Sequence, residues 1–557
     1  MTSDKKSIAL LADLFVKHGL EDIIISPGSR NAPIIITFAG NPSVNAISIT
    51  DERSAAFYAL GMAQEKKKAV AIACTSGTAV LNYAPAIAEA YYQKVPMLIL
   101  TADRPPEYID IGDGQCIRQK DVYKNYIKAS FEVPEDLSSE ASFGLANEMI
   151  NEAINLAHGP EPGPVHINLP FSEPLYHSTE ETVSGKVDKH EGRHPELSES
   201  YIQQLADEWN RYERVLLIAG QQDRNEKLND VLKKLVEEKN FVLLTETTSN
   251  LYGENFVGCI DNVLVAIKEN EEKIHRPDLL VTFGGHVVSK KIKKYLRNNK
   301  PQEHWHISPS GEGLDTYFSL TKVIRSGPED LFGRISSLLK PATPVFASAW
   351  MRKRNRVIDR REKFLDKTEY SDLKVFEMLL GHIPTGTTLH LGNSTPVRYA
   401  QLFGSNEWLT YRSNRGVSGI DGHISTAAGA AMASKDLHIV ITGDLGFFYD
   451  LNSLMQVPSN LKVILINNGG GGIFRFIPGP DTSPYLEKFF EARHDRKAEK
   501  FVEAFGLKYY KARSVVEMLY VLPEFFNEKE GSAVLEIFTP GEKNAVILRE
   551  YFKYLAG

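Results

Sequence analysis

Gly443-Asp-Leu-Gly-Phe-Phe-Tyr-Asp-Leu-Asn-Ser-Leu454, the apolar run Val463–Ile466, and Asn467-Asn-Gly-Gly-Gly-Gly-Ile-Phe474 form the stretch that decides how this chain folds. His438–Thr442 and Lys462–Ile466 read as two buried β-strands, each ending at a cluster of glycine and polar residues. Asp444 follows the first strand, at the strand end where open α/β sheets place their ligands. Gly443 and Gly446 let backbone N–H groups approach an anion closely, and the helix that follows offers a positive dipole end. Asn468 ends the next strand, 24 residues after Asp444. Neighbouring parallel strands bring Asp444 and Asn468 to one edge. A hard cation such as Mg²⁺ takes about six oxygen ligands, some from phosphate and water. The Asp444 carboxylate, the Asn468 amide oxygen and the Gly470 carbonyl form a sensible protein share of that shell. A bare Gly-Asp or Asn-Asn more often means a simple turn; the whole spaced pattern is far more specific.

Outward from this stretch the same grammar recurs. Asp22–Ile25, Val44–Ile49, Ala69–Cys74, Met97–Thr101 and Val165–Leu169 read as strands, with helices over Asp51–Gln64 and Thr78–Gln93, the latter kinked at Pro85. After a polar linker over Glu173–His194, strands are expected at Val215–Ala219, Phe241–Thr245, Leu279–Phe283 and His304–Ser308, with helices at Glu226–Glu238 and Lys290–Arg297. A second break falls at Lys340–Pro344. Beyond it come strands Thr388–Leu391 and Leu409–Arg412, helices Pro396–Leu402 and Ile424–Ala433, and terminal helices Lys497–Phe505, Val515–Phe526 and Ala545–Tyr554. The expected fold is therefore α/β: three doubly wound parallel-sheet domains, over 1–182, 195–340 and 345–557.

Length and composition agree. A chain of 557 residues implies roughly three to four domains. With 42% hydrophobic and 24% charged residues it is globular, not disordered. A net charge of −7 argues against a nucleic-acid partner, although a local arginine cluster remains compatible with anionic substrates. Cys74, Cys116 and Cys259 are sparse and scattered, which suits a reducing cytosol. The N-terminus lacks a signal-peptide pattern and no apolar run approaches a membrane span, so a cytoplasmic protein with no membrane partner is expected.

The Asp444–Asn468 pattern resembles the thiamine-diphosphate motif of the pyruvate decarboxylase and acetohydroxyacid synthase superfamily. Leu445 stands where most members carry Gly, which points to a distinct branch. The resemblance implies the thiamine-diphosphate-enzyme fold. It also implies cofactor contacts from Gly443, Asp444, Leu445, Gly446 and Asn468, and Mg²⁺ (or Mn²⁺) held by Asp444, Asn468 and Gly470. It places the activating carboxylate at Glu52, where it exchanges a proton with the cofactor's pyrimidine ring. Taken alone, Asp51-Glu52 reads as first-turn acids capping a helix.

Ser26-Pro-Gly-Ser-Arg-Asn-Ala-Pro33, Asp51-Glu-Arg-Ser-Ala-Ala-Phe57, Thr75-Ser-Gly-Thr-Ala79, Thr101-Ala-Asp-Arg-Pro-Pro-Glu107 and Ser413-Asn-Arg-Gly-Val-Ser-Gly-Ile-Asp-Gly422 narrow the resemblance. They are similar to blocks of the menaquinone-pathway synthase family, across essentially the whole chain. That family joins 2-oxoglutarate to isochorismate with loss of CO₂. Substrates rich in carboxylates call for arginines. Arg30, Arg104, Arg398 and Arg415 lie at predicted strand–helix junctions, with Ser29 and Ser394 beside two of them. The resemblance further implies that Lys290 contacts substrate, amid the neighbouring Lys291, Lys293 and Lys294. It puts Ile420 under the cofactor, Ile473 and Phe474 in the substrate pocket, and Gln115 beside the reacting carbon as a second catalytic group. His286 and His423 are read as structural. It also implies a homo-oligomer whose active sites lie at the subunit interface. The rivals are another thiamine-diphosphate decarboxylase or acetohydroxyacid synthase, and a non-catalytic relative that kept the fold. A dinucleotide dehydrogenase is disfavoured, because Gly469–Gly472 lacks the Gly-x-Gly-x-x-Gly form.

Overall fold

The computed structural model describes residues 1–190, 196–477, 479–527, 529 and 531–557. The last residues of the expected linker, and the first of the expected central domain, lie outside the described residues.

Three parallel sheets carry the fold. The first runs Asn45–Ser48, Asp22–Ile25, Val70–Cys74, Met97–Asp103, Pro164–Pro170 and Ser130–Glu132 in spatial order, every printed pairing parallel. The second runs Val242–Thr245, Val215–Ala219, Leu279–Phe283, Glu303–Ile307 and Lys322–Ile324, again parallel. The third runs Thr410–Arg412, Thr388–Leu391, His438–Gly443, Leu461–Asn467, Ala533–Phe538 and Lys508–Ala512. The central strands are rich in Val, Ile and Leu and buried along their length, as strands covered on both faces must be. Helices start where short polar side chains can accept N–H groups: Asp51 caps Glu52–Lys66, Asn225 caps Glu226–Lys239 and Ser371 caps Asp372–Leu380.

The first and third sheets share one strand order, 2-1-3-4-6-5 in sequence terms. In both, the connections leave strand 1 toward opposite sides, so a crevice opens at the strand ends between strands 1 and 3. Ser26–Arg30 and Thr75–Gly77 follow those two strands in the first sheet; Gly392–Ser394 and Asp444 follow them in the third.

Packing gathers the chain into two compact units. One comprises Met1–Arg193, Gly416–His438 and Tyr449–Leu461; the other comprises His194–Arg415, Ile439–Phe448 and Lys462–Gly557. Inside the first, the helix His423–Met432 crosses Glu52–Lys66 at very short range. A Cβ at Gly61 would fall 1.9 Å from the Thr426 carbonyl oxygen, and one at Gly429 would fall 1.9 Å from that of Tyr58. Two glycines thus let two backbones touch. Two details differ from the sequence reading. Thr78–Gln93 is split into Thr78–Asn82 and Ala84–Gln93, because Pro85 has no N–H to continue a helix but fits in a first turn. The break at Lys340–Pro344 leads straight into the 22-residue helix Pro344–Leu365.

Gly429→Val is expected to destabilise the protein by about 1–3 kcal/mol through overpacking. A lowered thermal midpoint is the check; an unchanged one would mean the two helices separate without penalty.

Candidate active site

In the first unit the strand ends hold an arginine-lined loop cluster. Arg30, 7% exposed, donates from its backbone N–H to Thr75 Oγ1 at 3.2 Å and from Nη1 to the Phe171 carbonyl at 2.9 Å. Its Nη2 lies 3.2 Å from Glu173. Arg104 donates Nε–H to the Gly114 carbonyl at 2.9 Å and pairs with Asp113 at 2.9 Å. Gln115, next in sequence, takes a left-handed φ of 57° and folds back over Thr75–Gly77. It donates to the Ser76 carbonyl at 3.2 Å, while Ser76 Oγ donates to the Gln115 carbonyl at 2.9 Å. The structure therefore brings Arg30, Arg104 and Gln115 to one loop cluster, with Ser29 exposed at its rim.

Glu52 opens its helix half-buried, with Asn82 Nδ2 at 3.4 Å from its carboxylate. Its two neighbours are braced by the segment that follows Asp444. Asn452 donates to Asp51 at 2.7 Å, and Arg53 donates to the Tyr449 carbonyl at 2.6 Å while lying 4.6 Å from that ring's centre. Asp450, fully buried, accepts the Ser425 N–H at 2.8 Å and its hydroxyl at 2.6 Å. This holds the start of the helix that the Ile420 loop leads into. Gly422, at φ +78°, lies so close to Phe57 that a Cβ would fall 2.2 Å from the ring. Ile420 itself is half-buried. His423, read as structural, has its Nε2 3.1 Å from the Gly419 carbonyl.

The second unit holds the other set. Asp444 is 2% exposed. Its Oδ2 accepts the N–H groups of Gly469 and Gly470, each at 2.9 Å, and its Oδ1 accepts that of Leu445 at 2.7 Å. These bonds require the glycines: Gly469 and Gly470 sit at φ +81° and +146°, and a Cβ on Gly470 would meet the Glu491 carbonyl at 2.6 Å. Gly443, Leu445 and Gly446 form the turn itself, into the short helix Asp444–Tyr449.

Asn468 carries the most telling atom. Its Nδ2 donates to Asp372 Oδ2 at 3.1 Å, which fixes the orientation of the amide, and its Oδ1 is buried with no partner. A buried carbonyl oxygen left unpaired costs about 1–3 kcal/mol. Asp372 accepts the Thr539 hydroxyl at 2.5 Å; burial pushes its pKa up to about 6, and the nearby Asp444 charge pushes the same way. A buried, unpaired amide oxygen at the end of the strand next to that of Asp444 fits a hard cation. The Gly470 carbonyl accepts the Gly472 N–H at 2.9 Å and keeps one lone pair. Among the described residues no group of three or more His, Cys, Asp or Glu is placed to hold a metal, so a cation held by Asp444 would need amide and carbonyl oxygens beside it. His494 was missed in the sequence; its Nε2 lies 3.6 Å from Asp444 Oδ2. Asp372 was missed too, because an acid after a capping serine reads as an ordinary first-turn residue.

Also in this unit, Arg415 is 8% exposed and donates Nη1–H to Asn393 Oδ1 at 2.7 Å, while Asn393 Nδ2 donates to the Asn414 carbonyl at 2.6 Å. His286, read as structural, has its Nδ1 2.6 Å from the Arg415 carbonyl. Ser394 takes φ 74°, unusual for a non-glycine residue, at the start of the helix bearing Arg398. Arg398 is half-buried and Lys290 is exposed. Ile473 is 7% exposed, and Phe474 packs its ring 5.8 Å from that of Phe490.

Known proteins place these features. Residues 6–125 match the family description "Thiamine pyrophosphate enzyme, N-terminal TPP binding domain", 188–391 "Middle domain of thiamine pyrophosphate", and 391–537 "Thiamine pyrophosphate enzyme, C-terminal TPP binding domain". Benzoylformate decarboxylase from Polynucleobacter necessarius has the same fold: TM-score 0.73, 97% of this chain and 99% of that one, at 16% identity. The class is thus a thiamine-diphosphate-dependent enzyme. The 2-succinyl-5-enolpyruvyl-6-hydroxy-3-cyclohexene-1-carboxylate synthase of Christiangramia forsetii is 43% identical, covering 97% of each chain. Those of Flavobacterium johnsoniae (42%, 96% of each) and Porphyromonas gingivalis (40%, 100% of this chain and 98% of that one) match similarly. The chain belongs to the 2-succinyl-5-enolpyruvyl-6-hydroxy-3-cyclohexene-1-carboxylate synthase family.

Asp444→Ala strips the acceptor from three N–H groups, and is expected to abolish the thermal stabilisation that thiamine diphosphate gives the wild type. A wild-type-sized shift in that variant would remove Asp444 from the cofactor site.

Proposed function

We propose that this enzyme decarboxylates 2-oxoglutarate and joins the remaining four-carbon unit to isochorismate, in menaquinone biosynthesis. The observation that carries the reading is the pairing of the Asp444–Asn468 site with buried arginines in an acidic protein. Thiamine diphosphate, when bound, supplies the nucleophilic carbon and the electron sink for loss of CO₂. Asp444, Asn468 and the Gly470 carbonyl would hold Mg²⁺ beside the diphosphate, with Gly443, Leu445 and Gly446 giving the backbone around it. Glu52 holds and moves the proton on the pyrimidine side, braced through Asp51 and Arg53. Ile420 supports the cofactor from the loop held against Phe57. Arg30, Arg104, Arg398 and Arg415 orient carboxylates, with Ser29, Ser394 and Lys290 adding polar contacts. Gln115 stands near the reacting carbon, while Ile473 and Phe474 exclude water from it.

Three domains over 1–182, 195–340 and 345–557 belong to this reading, supported by one parallel sheet in each span. So does a cytoplasmic homo-oligomer with active sites shared between subunits. Leu81, Tyr92, Val417 and Met455, all in the first unit, are 47–54% exposed, apolar side chains that a second copy would cover. The cysteines are free, and no helix among the described residues is long and apolar enough to cross a membrane.

CO₂ release from 2-oxoglutarate, with and without isochorismate, tests the reaction. Glu52→Gln is expected to lower isochorismate-dependent turnover about 10²- to 10⁴-fold. Turnover of pyruvate alone would instead favour an acetohydroxyacid synthase-like enzyme. Asp372→Ala, which frees the Asn468 amide to rotate, is expected to raise the Mg²⁺ needed for half-maximal activity about 10- to 100-fold. Mixing inactive Glu52→Gln subunits with inactive Asp444→Ala subunits should restore part of the activity; none would place each site within one chain.

A further inference from the structure

A histidine that the reaction scheme has not used stands at the Asp444 edge. His494 donates its backbone N–H to the Gly469 carbonyl at 3.0 Å, so it is tied to the turn whose N–H groups satisfy Asp444. Two residues on, the Arg496 carbonyl accepts the Asn467 Nδ2–H at 2.9 Å. Asn467 also donates to Glu536 Oε1 at 2.6 Å, on the neighbouring strand, and the buried Glu536 accepts the Ala498 N–H at 3.0 Å through Oε2. The loop from His494 to Ala498 is thus bonded to two adjacent strands of the third sheet. The imidazole meets the Phe448 ring edge-on, with centres 5.6 Å apart.

Within this fixed ring the two nitrogens are used unequally. Arg496 donates its N–H to Nδ1 at 3.1 Å, and a ring nitrogen that accepts carries no hydrogen of its own. The ring's N–H is therefore at Nε2. The side chain is 4% exposed, and among the described residues Nε2 is buried without a hydrogen-bond partner, 3.6 Å from Asp444 Oδ2. Such a distance makes an electrostatic contact rather than a hydrogen bond, and burial strengthens it. A phenylalanine would pack on Phe448 without burying an unmatched donor, so packing alone does not call for histidine here. The asymmetry of Asp444 supplies the reason. Oδ2 accepts the N–H groups of Gly469 and Gly470 and has the imidazole N–H beside it, whereas Oδ1 accepts that of Leu445.

We propose that His494 is a positioning residue of the cation site: its Nε2–H, a third donor beside Asp444 Oδ2, holds that oxygen to the protein and leaves Oδ1 for the metal ion. This rests on the reading of Asp444 as a metal ligand. Mn²⁺ is titrated into the full-length protein with thiamine diphosphate present, and the free ion is read by electron paramagnetic resonance. His494→Phe, which keeps a ring against Phe448 but has no N–H, is expected to weaken Mn²⁺ binding about 10- to 100-fold. His494→Asn, too short to carry an N–H to the Nε2 position, is expected to weaken it similarly. His494→Gln, whose longer amide restores that N–H, recovers most of the loss. A role in packing alone gives the opposite order, with Phe near wild type and Gln weakened, and overturns the proposal. Circular dichroism and the thermal midpoint without ligands establish which variants are folded; should Phe fail, Asn against Gln decides, and equal affinities in those two overturn the role. Asp444→Ala tests the underlying reading. Mn²⁺ held equally by wild type and Asp444→Ala removes the cation from Asp444, and the role of His494 with it. Mn²⁺ lost in Asp444→Ala but held at wild-type affinity in His494→Phe overturns His494 alone.

Discussion

One carboxylate holds the catalytic edge of the third sheet together. Asp444 leaves the end of one central strand and accepts two N–H groups from the turn that ends its neighbour, plus one from its own turn. Taking an ion of this kind out of water costs several kcal/mol. Hydrogen bonds to a charged group return about 1.5–3 kcal/mol each, so three of them offset the burial and two would barely do so. The bonds exist only because Gly469 and Gly470 adopt positive φ, and Gly470 passes close to the Glu491 backbone. Once that turn is set, Asn468 is set, and Asp372 takes the nitrogen end of its amide, leaving the oxygen end unpaired. The unpaired oxygen is a consequence of this order of constraints, and it is the feature that makes the edge a place for a cation.

The repeated strand order explains why the functional loops of each sheet gather at that sheet's own crevice. In the first and third sheets alike, loops carrying Ser, Arg, Asn or Asp follow strands 1 and 3 at the crevice where the winding reverses. Sheet winding alone does not bring the Glu52 helix to anything. That is done by two glycines at a helix crossing and by Asn452 and Tyr449, which grip the residues on either side of Glu52. A residue that must exchange a proton gains from having its neighbours held while its own carboxylate keeps, among the described residues, one long hydrogen bond, to Asn82.

Much of this was legible in the sequence, for a physical reason. Strands such as Asp22–Ile25, Val215–Ala219 and Leu279–Phe283 are continuous runs of branched apolar residues, and burial on both faces leaves no alternative for them. The Asp444 turn was legible because glycine, Asp and Asn at strand ends are local requirements. Asp372, Glu246 and His494 were not. Each owes its meaning to partners far along the chain: Thr539 and Asn468 for Asp372, Val288 and Ser289 for Glu246, Asp444 for His494. The lysine cluster shows the same limit. Spacing puts Lys290, Lys291, Lys293 and Lys294 on one helix, but only packing tells that Lys293 is half-buried while Lys290 and Lys294 are exposed.

The manner in which the buried acids are satisfied is itself informative about anion binding. A site for carboxylates needs cations whose donors are unspent, yet unneutralised cations in a half-buried place destabilise the fold. Two solutions compete. A direct ion pair would stabilise each arginine and at the same time fill the fork that should receive substrate. Glu246 takes the other course: its oxygens are occupied by the N–H groups of Val288 and Ser289, so its charge acts on Lys293, Arg398 and Arg415 through space. Burial pushes its pKa up to about 7, and the nearby Asp261 charge pushes the same way, against those two hydrogen bonds and the Arg415 charge. Asp261 follows the same rule, bonded to Ser289 while Arg398 is felt only electrostatically. Acids bonded to peptide groups and hydroxyls act on Arg398 at a distance, and among the described residues that is the arrangement in which its guanidinium keeps a donor for an incoming anion.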